Sequence, residues 1–215
     1  MPLSTATLHG LYVIADSSLA SSHICLSDKV KLAIEGGARI VQIRDKRPTP
    51  DIKEIQNIAR LCQQHRIPLL INDSIELAIE MNADGIHLGQ SDTDLKAARQ
   101  RLGDSAIIGI TCHDEITLAK QAEAEGADYV AFGRFFSSQT KPEAPPANIK
   151  ILQQARKELR IPIVAIGGIT PDNGGSLLQA GADMLAVING VFGQTDIKSA
   201  AQQFNQLFDR RTRNL

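Results

Sequence analysis

Short apolar runs alternate with longer amphipathic segments along the whole chain. The apolar runs do not alternate with polar positions, which is typical of strands buried on both faces of a parallel sheet. The amphipathic segments carry apolar residues at helical spacing. The pattern predicts eight strands, at residues 11–15, 39–44, 68–72, 85–88, 106–111, 129–133, 162–166 and 184–188.

Each predicted strand is followed by one predicted helix. Eight such units fill a chain of 215 residues as a single (β/α)8 TIM barrel domain, with residues 1–10 and 209–215 as peripheral ends. An open, doubly wound parallel sheet is the alternative. Ser27, Asp73 and Asp114 stand at positions that favour helix N-caps. The predicted helices lie at residues 28–35, 51–65, 74–81, 93–101, 115–125, 147–159, 172–179 and 196–207.

A short motif precedes four of the predicted strands. It reads Gly37-Ala38, Asn82-Ala83, Gly126-Ala127 and Gly181-Ala182. We expect the Gly or Asn to end the preceding helix in the left-handed conformation, and the Ala to let the chain turn tightly into the barrel. The repeat supports an α/β fold with similar helix-to-strand connections.

The composition argues against several classes of partner. The net charge is −1, only 4% of residues are aromatic and Trp is absent, so neither nucleic acid nor an anionic membrane surface is expected. No apolar stretch approaches the roughly 20 residues that span a bilayer. Three widely spaced cysteines and a start without a secretory signal favour the cytoplasm. The sequence leaves the oligomeric state open, and a homo-oligomer is compatible with it.

Polar side chains cluster at the carboxyl ends of the second, third and fourth predicted strands, in their last residues or directly after them. In a barrel, these ends meet at one mouth. Two carboxylates together with Arg and Lys are the usual protein contribution to a Mg²⁺–diphosphate site. The sequence therefore predicts an enzyme of phosphorylated small molecules that uses Mg²⁺. The residues concerned are Gln42, Arg44, Lys46, Asn72, Asp73 and Asp92.

The later strand ends predict a second anion site. Gly167-Gly168 and Asn189-Gly190 follow the last two strands, where barrels commonly bind a phosphate through backbone N–H groups. The Pro-rich and Ser-rich segment 137–146 after the sixth strand predicts a mobile loop over the site. Two anionic groups on opposite sides of one mouth suggest the condensation of two small phosphorylated substrates.

Taken singly, each of these residues has a simpler interpretation. Asp73 and Asp92 both precede predicted helices and could be N-caps only. His87 falls inside a strand, as a hydrogen-bonded core histidine does. Lys46 and Lys141 could be solvated surface residues. Only their joint placement at strand ends favours the functional interpretation.

Five segments resemble the motifs of the thiamine-phosphate synthase family, in that family's order. The resemblance extends from about Leu11 to Phe192 and implies a (β/α)8 barrel. It implies that hydroxymethylpyrimidine diphosphate and hydroxyethylthiazole phosphate are joined to give thiamine phosphate and diphosphate. The segments are Gln42–Lys46, Ile71–Asp73, Gly85–Asp92, Thr140–Pro142 and Ala165–Ile169.

The same resemblance implies roles for individual residues. Asp73 and Asp92 would hold Mg²⁺. The pyrimidine diphosphate would be bound by Gln42, Arg44, Lys46, Asn72, Thr111 and Lys141, of which Arg44, Lys46 and Lys141 would act on the leaving diphosphate. The thiazole phosphate would be bound by Ser138, Thr140, Gly168, Ile188 and Asn189, and Asn189 replaces a Ser that is common in the family. The resemblance leaves the roles of Arg134 and His113 open.

Three other functions remain open from the sequence. A thiazole tautomerase-like isomerase would bind one phosphate and use a histidine such as His113 as proton shuttle. A phosphate-sugar isomerase or aldolase would fit the glycine loops equally well. A ligand-binding relative that has lost catalysis would keep the pocket. The full set of carboxylates and cations favours the synthase.

Overall fold

Eight parallel strands close into a barrel in which β1 pairs with β8. The structure is a computed structural model that describes residues 8–20, 24–137 and 145–212. The closed sheet confirms the predicted (β/α)8 barrel and rules out the open-sheet alternative. The strands are β1 Gly10–Asp16, β2 Ile40–Arg44, β3 Leu69–Asn72, β4 Gly85–Leu88, β5 Ile107–His113, β6 Tyr129–Phe132, β7 Ile163–Ile166 and β8 Met184–Val187.

The predicted helices lie outside this sheet in the expected order. Two short elements were not predicted, namely the 3₁₀ turn Ser17–Leu19 after β1 and the helix α8 after β8. The last helix continues to Thr212, into the segment expected as a peripheral end. The helices are α1 Leu26–Glu35, α2 Ile52–His65, α3 Ile75–Glu80, α4 Leu95–Leu102, α5 Ile116–Ala124, α6 Lys150–Glu158, α7 Pro171–Gln179, α8 Asn189–Phe192 and α9 Ile197–Thr212. Within the described ranges, none of them is long and apolar enough to cross a membrane.

Both faces of the strands are buried, which explains their unbroken apolar runs. The outward faces pack with the helices into one large cluster. The inward faces fill the barrel with a second, smaller cluster, as is usual for this fold. This inner cluster includes Tyr12, Ile14, Ile40, Leu70, Ile107, Tyr129, Val164 and Met184.

The repeated helix-to-strand connection has the predicted conformation. Gly37, Asn82, Gly126 and Gly181 have φ angles of 101°, 48°, 94° and 120°. All four lie in the positive region that glycine and asparagine tolerate best. The sequence prediction of a left-handed residue at each of these turns is confirmed.

The aspartates that follow three of these turns have a role that the sequence analysis did not assign. Asp128 N–H donates to Ile108 O at 2.8 Å, and Asp128 Oδ2 accepts from Ile108 N at 2.8 Å. Asp84 and Asp183 make the same reciprocal pair with the first residues of β3 and β7. Each carboxylate thus satisfies a backbone donor at the N-terminal edge of the barrel.

Two of the predicted N-caps are wrong because the helices begin at other residues. Ser27 lies inside the first turn of α1, where its N–H and hydroxyl donate to the Glu54 carboxylate, and Cys25 occupies the cap position. In helix α5 the N-cap position is occupied by Glu115 and not by Asp114.

Asp128→Ala should lower the free energy of unfolding by about 1–3 kcal/mol, because it leaves the Ile108 N–H without its acceptor. It also removes the partner of Arg99, whose Nη2 donates to Asp128 Oδ2 at 2.6 Å. Urea denaturation measures the loss. Asp104→Ala, at an exposed aspartate near the same edge, should change stability by less than about 0.5 kcal/mol. Equal losses in the two variants would contradict the assigned role.

Candidate active site

The carboxyl ends of β2 and β3 bring two amide side chains together at the mouth. Gln42 Nε2 donates to Asn72 Oδ1 at 2.7 Å. Gln42 is only 2% exposed, although it is polar, because Tyr12 Oη donates to its Oε1 at 2.8 Å from inside the barrel. The sequence-predicted pair is therefore held in one orientation from below.

Two carboxylates lie beside this pair. Asp73 and Asp92 are within hydrogen-bonding reach of each other, and Lys46 Nζ donates to Asp73 Oδ2. The Gly89 N–H donates to Asp92 Oδ2 at 2.7 Å. The end of β4 thus meets the ends of β2 and β3 in a cluster of two carboxylates and one ammonium group.

Neither carboxylate caps a helix, so the simpler interpretation of both residues is wrong. Asp73 has a φ of 64°, which turns the chain sharply after β3, and Ser74 becomes the N-cap of α3 with its Oγ accepting from Leu77 N. The N-cap of α4 is Asp94, two residues after Asp92. Asp73 and Asp92 are consequently available at the mouth.

The carboxylate pair is electrostatically unfavourable in the protein alone. Burial raises the pKa of Asp92 above its ordinary value, and the adjacent Asp73 raises it further. The hydrogen bond from Gly89 and the charge of Lys46 offset these effects only in part. A like charge in contact disfavours the ionised form of Asp92. A bound cation would relieve this repulsion.

Arg44 is anchored by a residue that the sequence analysis missed. Its Nη1 donates to Asp16 Oδ2, and Asp16 is only 4% exposed at the end of β1. Burial alone would raise the pKa of Asp16, but hydrogen bonds from Ser18 and Arg44 outweigh it and hold that pKa below its ordinary value. Asp16 is therefore a charged anchor at neutral pH. An aspartate directly after an apolar strand was the available signal.

His87 lies on the inner side of β4 and is hydrogen-bonded through both ring nitrogens. Nδ1 is 2.9 Å from Tyr129 Oη, and Nε2 is 2.9 Å from Thr111 Oγ1. Gln90 Nε2 donates to the Thr111 carbonyl oxygen at 2.5 Å. His87 is thus the satisfied histidine that the sequence indicated, but its partners extend to the mouth.

The loops after β7 and β8 form the opposite side of the mouth. Gly167 and Gly168 have φ angles of 104° and 63°, and a Cβ on either would lie 2.3 Å from the chain after β6. A Cβ on Gly190 would lie 2.4 Å from Ile169 O, so the two loops touch. The first two N–H groups of α8, those of Asn189 and Gly190, have no acceptor within the helix, whereas those of Val191 and Phe192 donate to Ile188 O.

An open cavity of about 720 Å³ lies over the ends of β8, β1 and β2. Arg44, Lys46 and Arg47 lie on one side of it, and Ile188 and Asn189 on the other. Cations and the β8 loop therefore face a common space large enough for a small-molecule ligand.

Several predicted residues cannot be placed. Ser138, Thr140 and Lys141 lie outside the described residues, as does most of the predicted loop 137–146. Arg134 follows β6 and has an interaction partner. Over the described ranges there is no cluster of three or more His, Cys, Asp or Glu side chains that would enclose a metal ion.

Comparison with known proteins identifies the family. A family model described as thiamine monophosphate synthase matches residues 11–191. The chain belongs to the thiamine monophosphate synthase family. It is 47% identical over 213 residues to a thiamine-phosphate synthase of Alcanivorax borkumensis, covering 97% of each chain. It is 50% identical over 205 residues to one of Marinobacter nauticus, covering 94% of this chain and 91% of that one.

A solved structure in this family has the same architecture. The thiamine phosphate pyrophosphorylase from Pyrococcus furiosus superimposes with a TM-score of 0.84 at 28% identity, covering 96% of this chain and 98% of that one. Both the sequence and the backbone therefore support the family membership that the motifs indicated.

Asp92→Asn should stabilise the metal-free protein at neutral pH by about 0.2–1 kcal/mol, the size of exposed charge interactions. The raised pKa of Asp92 means that folding opposes its ionisation, so the gain should disappear as the pH falls and Asp92 becomes protonated. The amide keeps an acceptor for the Gly89 N–H. Thermal unfolding in EDTA from acidic to neutral pH measures the difference, and a variant less stable than wild type at neutral pH would contradict the repulsion.

Proposed function

We propose that the protein is a thiamine-phosphate synthase that joins hydroxymethylpyrimidine diphosphate to hydroxyethylthiazole phosphate. The contact of Asp73 with both Asp92 and Lys46 carries the proposal. A diphosphate site needs both a cation-binding pair and cationic side chains, and a monophosphate isomerase needs neither. Family membership gives the reaction, and this contact supplies the chemistry for its leaving group.

Mg²⁺ fits the carboxylates at the mouth. It is usually bound by one or two carboxylates together with substrate phosphate oxygens and waters, and not by a complete protein cage. Asp73 and Asp92 supply two such carboxylates, and their mutual repulsion favours a divalent ion between them. Bound Mg²⁺ would neutralise charge on the diphosphate.

The pyrimidine diphosphate would lie over β2 to β5. Gln42, Asn72 and Thr111 offer hydrogen bonds to the ring, and Arg44 and Lys46 offer positive charge to the diphosphate. Asp16 holds Arg44 in place. By family resemblance, Lys141 would add a third cation from the loop after β6.

The thiazole phosphate would bind across the mouth. Gly168, Ile188 and Asn189 line the β7 and β8 side, where backbone N–H groups can approach a phosphate closely. Ser138 and Thr140 would contribute hydroxyl groups from the same loop as Lys141. The open cavity between the cations after β2 and the loop after β8 would let the rings meet.

The chemistry requires the bond between the pyrimidine methylene carbon and the diphosphate oxygen to break. The electron-rich aminopyrimidine stabilises the resulting cation, and the thiazole nitrogen then attacks the carbon. Arg44 and Lys46 stabilise the departing diphosphate, and the strand ends align the two rings. No general base is needed, because the attacking nitrogen is neutral. Such phosphorylated substrates are retained inside cells, which supports the cytoplasmic location expected from the sequence.

The direct test is to incubate the purified protein with both precursors and Mg²⁺. We expect thiamine phosphate and diphosphate in equal amounts. Release of diphosphate separates the synthase from a thiazole tautomerase or a sugar-phosphate isomerase. Binding of both substrates without product would instead indicate a ligand-binding relative and would contradict the proposal.

Asp92→Ala should lower turnover at limiting Mg²⁺ by about 100-fold or more, because it removes half of the cation-binding pair. Asp94→Ala is the matched control. Asp94 caps α4 through the N–H groups of Lys96 and Ala97, so its loss should lower the melting temperature and leave turnover nearly unchanged. Wild-type turnover of Asp92→Ala at limiting Mg²⁺ would refute the metal assignment.

Asp16→Asn should lower kcat/KM for the pyrimidine diphosphate by about tenfold or more, because Arg44 loses its charged anchor. Asp45→Asn is the comparison, since Asp45 pairs with Arg47 two residues further along the same loop. We expect a smaller effect there. Steady-state kinetics with a fixed thiazole phosphate concentration measures both, and equal effects would contradict a specific role for Asp16.

A further inference from the structure

Beneath the proposed pyrimidine site, six polar side chains form a continuous hydrogen-bonded chain across the barrel. Successive donor–acceptor separations are 2.7, 2.8, 3.0, 2.9 and 2.9 Å. The order from one end to the other is Asn72, Gln42, Tyr12, Tyr129, His87 and Thr111. The three central residues belong to no substrate contact proposed above.

The chain is tightly enclosed at its centre. Tyr12 is 1% exposed and Tyr129 is fully buried, and their rings meet edge to face with centroids 6.1 Å apart. His87 stacks on Tyr129 at 5.6 Å. A Cβ on Gly109 would lie 1.9 Å from Tyr129 Cζ, so only glycine admits the tyrosine ring here. These side chains have little freedom to exchange partners.

The number of available protons fixes which group donates in each hydrogen bond of this hydrogen-bonded chain. Each tyrosine has one hydroxyl proton, and burial raises the pKa of both so that both protons are retained. Tyr12 donates to Gln42, so the proton between the tyrosines must come from Tyr129. The Tyr129 oxygen then accepts from His87 Nδ1. A neutral His87 must in turn accept at Nε2 from the Thr111 hydroxyl.

The two ends of the hydrogen-bonded chain therefore offer different groups to a ligand. At one end, Asn72 uses its Oδ1 as acceptor for Gln42, so its Nδ2 remains a donor at the mouth. At the other end, the Thr111 hydroxyl donates its only proton to His87. Its oxygen can therefore only accept a hydrogen bond from a ligand. The mouth presents a donor over β3 and an acceptor over β5.

We propose that Tyr12, Tyr129 and His87 are positioning residues that fix this direction and thereby select an aminopyrimidine over an oxopyrimidine. An aminopyrimidine carries ring-nitrogen acceptors and an amino donor, which match Asn72 Nδ2 and Thr111 Oγ1. An oxopyrimidine has an N–H donor and a carbonyl acceptor in the corresponding places. Its donor would face the donor Asn72 Nδ2, and its acceptor would face the acceptor Thr111 Oγ1. This inference rests on the proposed function and adds the origin of its ring specificity.

The first test reads the direction without any substrate. Long-range ¹⁵N–¹H spectra of the ¹⁵N-histidine-labelled protein, at about pH 8 where histidine is ordinarily neutral, show which ring nitrogen carries the proton. The protein has 5 histidines, and the signal that is lost in the His87→Gln variant is assigned to His87. We expect the Nδ1–H form. An Nε2–H form would mean that the chain runs the other way and would overturn the proposal.

The second test measures the ratio of kcat/KM for the aminopyrimidine diphosphate and its 4-oxo analogue. Tyr129→Phe and His87→Leu should each lower this ratio by about tenfold or more, since a matched hydrogen-bonding site rejects the mismatched ring. His87→Gln should retain most of it, because its amide can donate to Tyr129 and accept from Thr111. Val164→Ala perturbs the same inner layer without breaking the chain and should leave the ratio unchanged.

The two tests separate this inference from the proposed function. Thiamine phosphate formation with an unchanged ratio in Tyr129→Phe would leave the function intact and overturn the role of the three residues. If wild type formed no product, the proposed function would fail, and the proposed specificity would fail with it even if His87 were protonated at Nδ1.

Discussion

The contact between Asp73 and Asp92 is the constraint on which the site depends. Two carboxylates repel each other, so the backbone must hold them together. The Asp73 N–H donates to His87 O at 2.9 Å, which ties the turn after β3 to β4, and Gly89 secures Asp92. The fold thus holds two like charges in contact, and functional sites often keep such arrangements at some expense of stability. A cation bound between the carboxylates would make this contact favourable.

The inner layer of the barrel supports the same mouth from below. Polar side chains inside a core are tolerated only when their hydrogen bonds are complete. Across the described ranges, no buried side-chain nitrogen or oxygen lacks a partner. Tyr12 and Tyr129 therefore fill space as large core residues do, and they also carry hydrogen bonds between opposite sides of the barrel. Packing and the proposed ligand recognition therefore share the same residues.

The sequence predicted those features that appear as a local pattern of apolar and polar residues. Unbroken apolar runs predicted eight buried strands, and polar residues at the ends of those runs, such as Arg44 and Asp73, lie at one mouth because parallel strands end on the same side. Asp16 was missed because its role appears only when the pairing of β1 with β2 aligns it with Arg44. The contact of Tyr12 with Tyr129 joins residues 117 positions apart, which no local pattern reports.

The wrong N-caps have a different cause. Caps depend on the backbone conformation of single residues, and Asp73 leaves its strand with a φ of 64° one residue before the helix cap. Asp and Ser are equally good caps in sequence. The same departure from regular backbone makes Asp73 available for the site.

A crystal structure of the protein with Mg²⁺ and inorganic diphosphate would test the central claim most directly. The account predicts one ion that contacts the carboxylates of Asp73 and Asp92, with the diphosphate between that ion and the side chains of Arg44 and Lys46. An ion that touches neither carboxylate, or a diphosphate bound away from both cations, would contradict it.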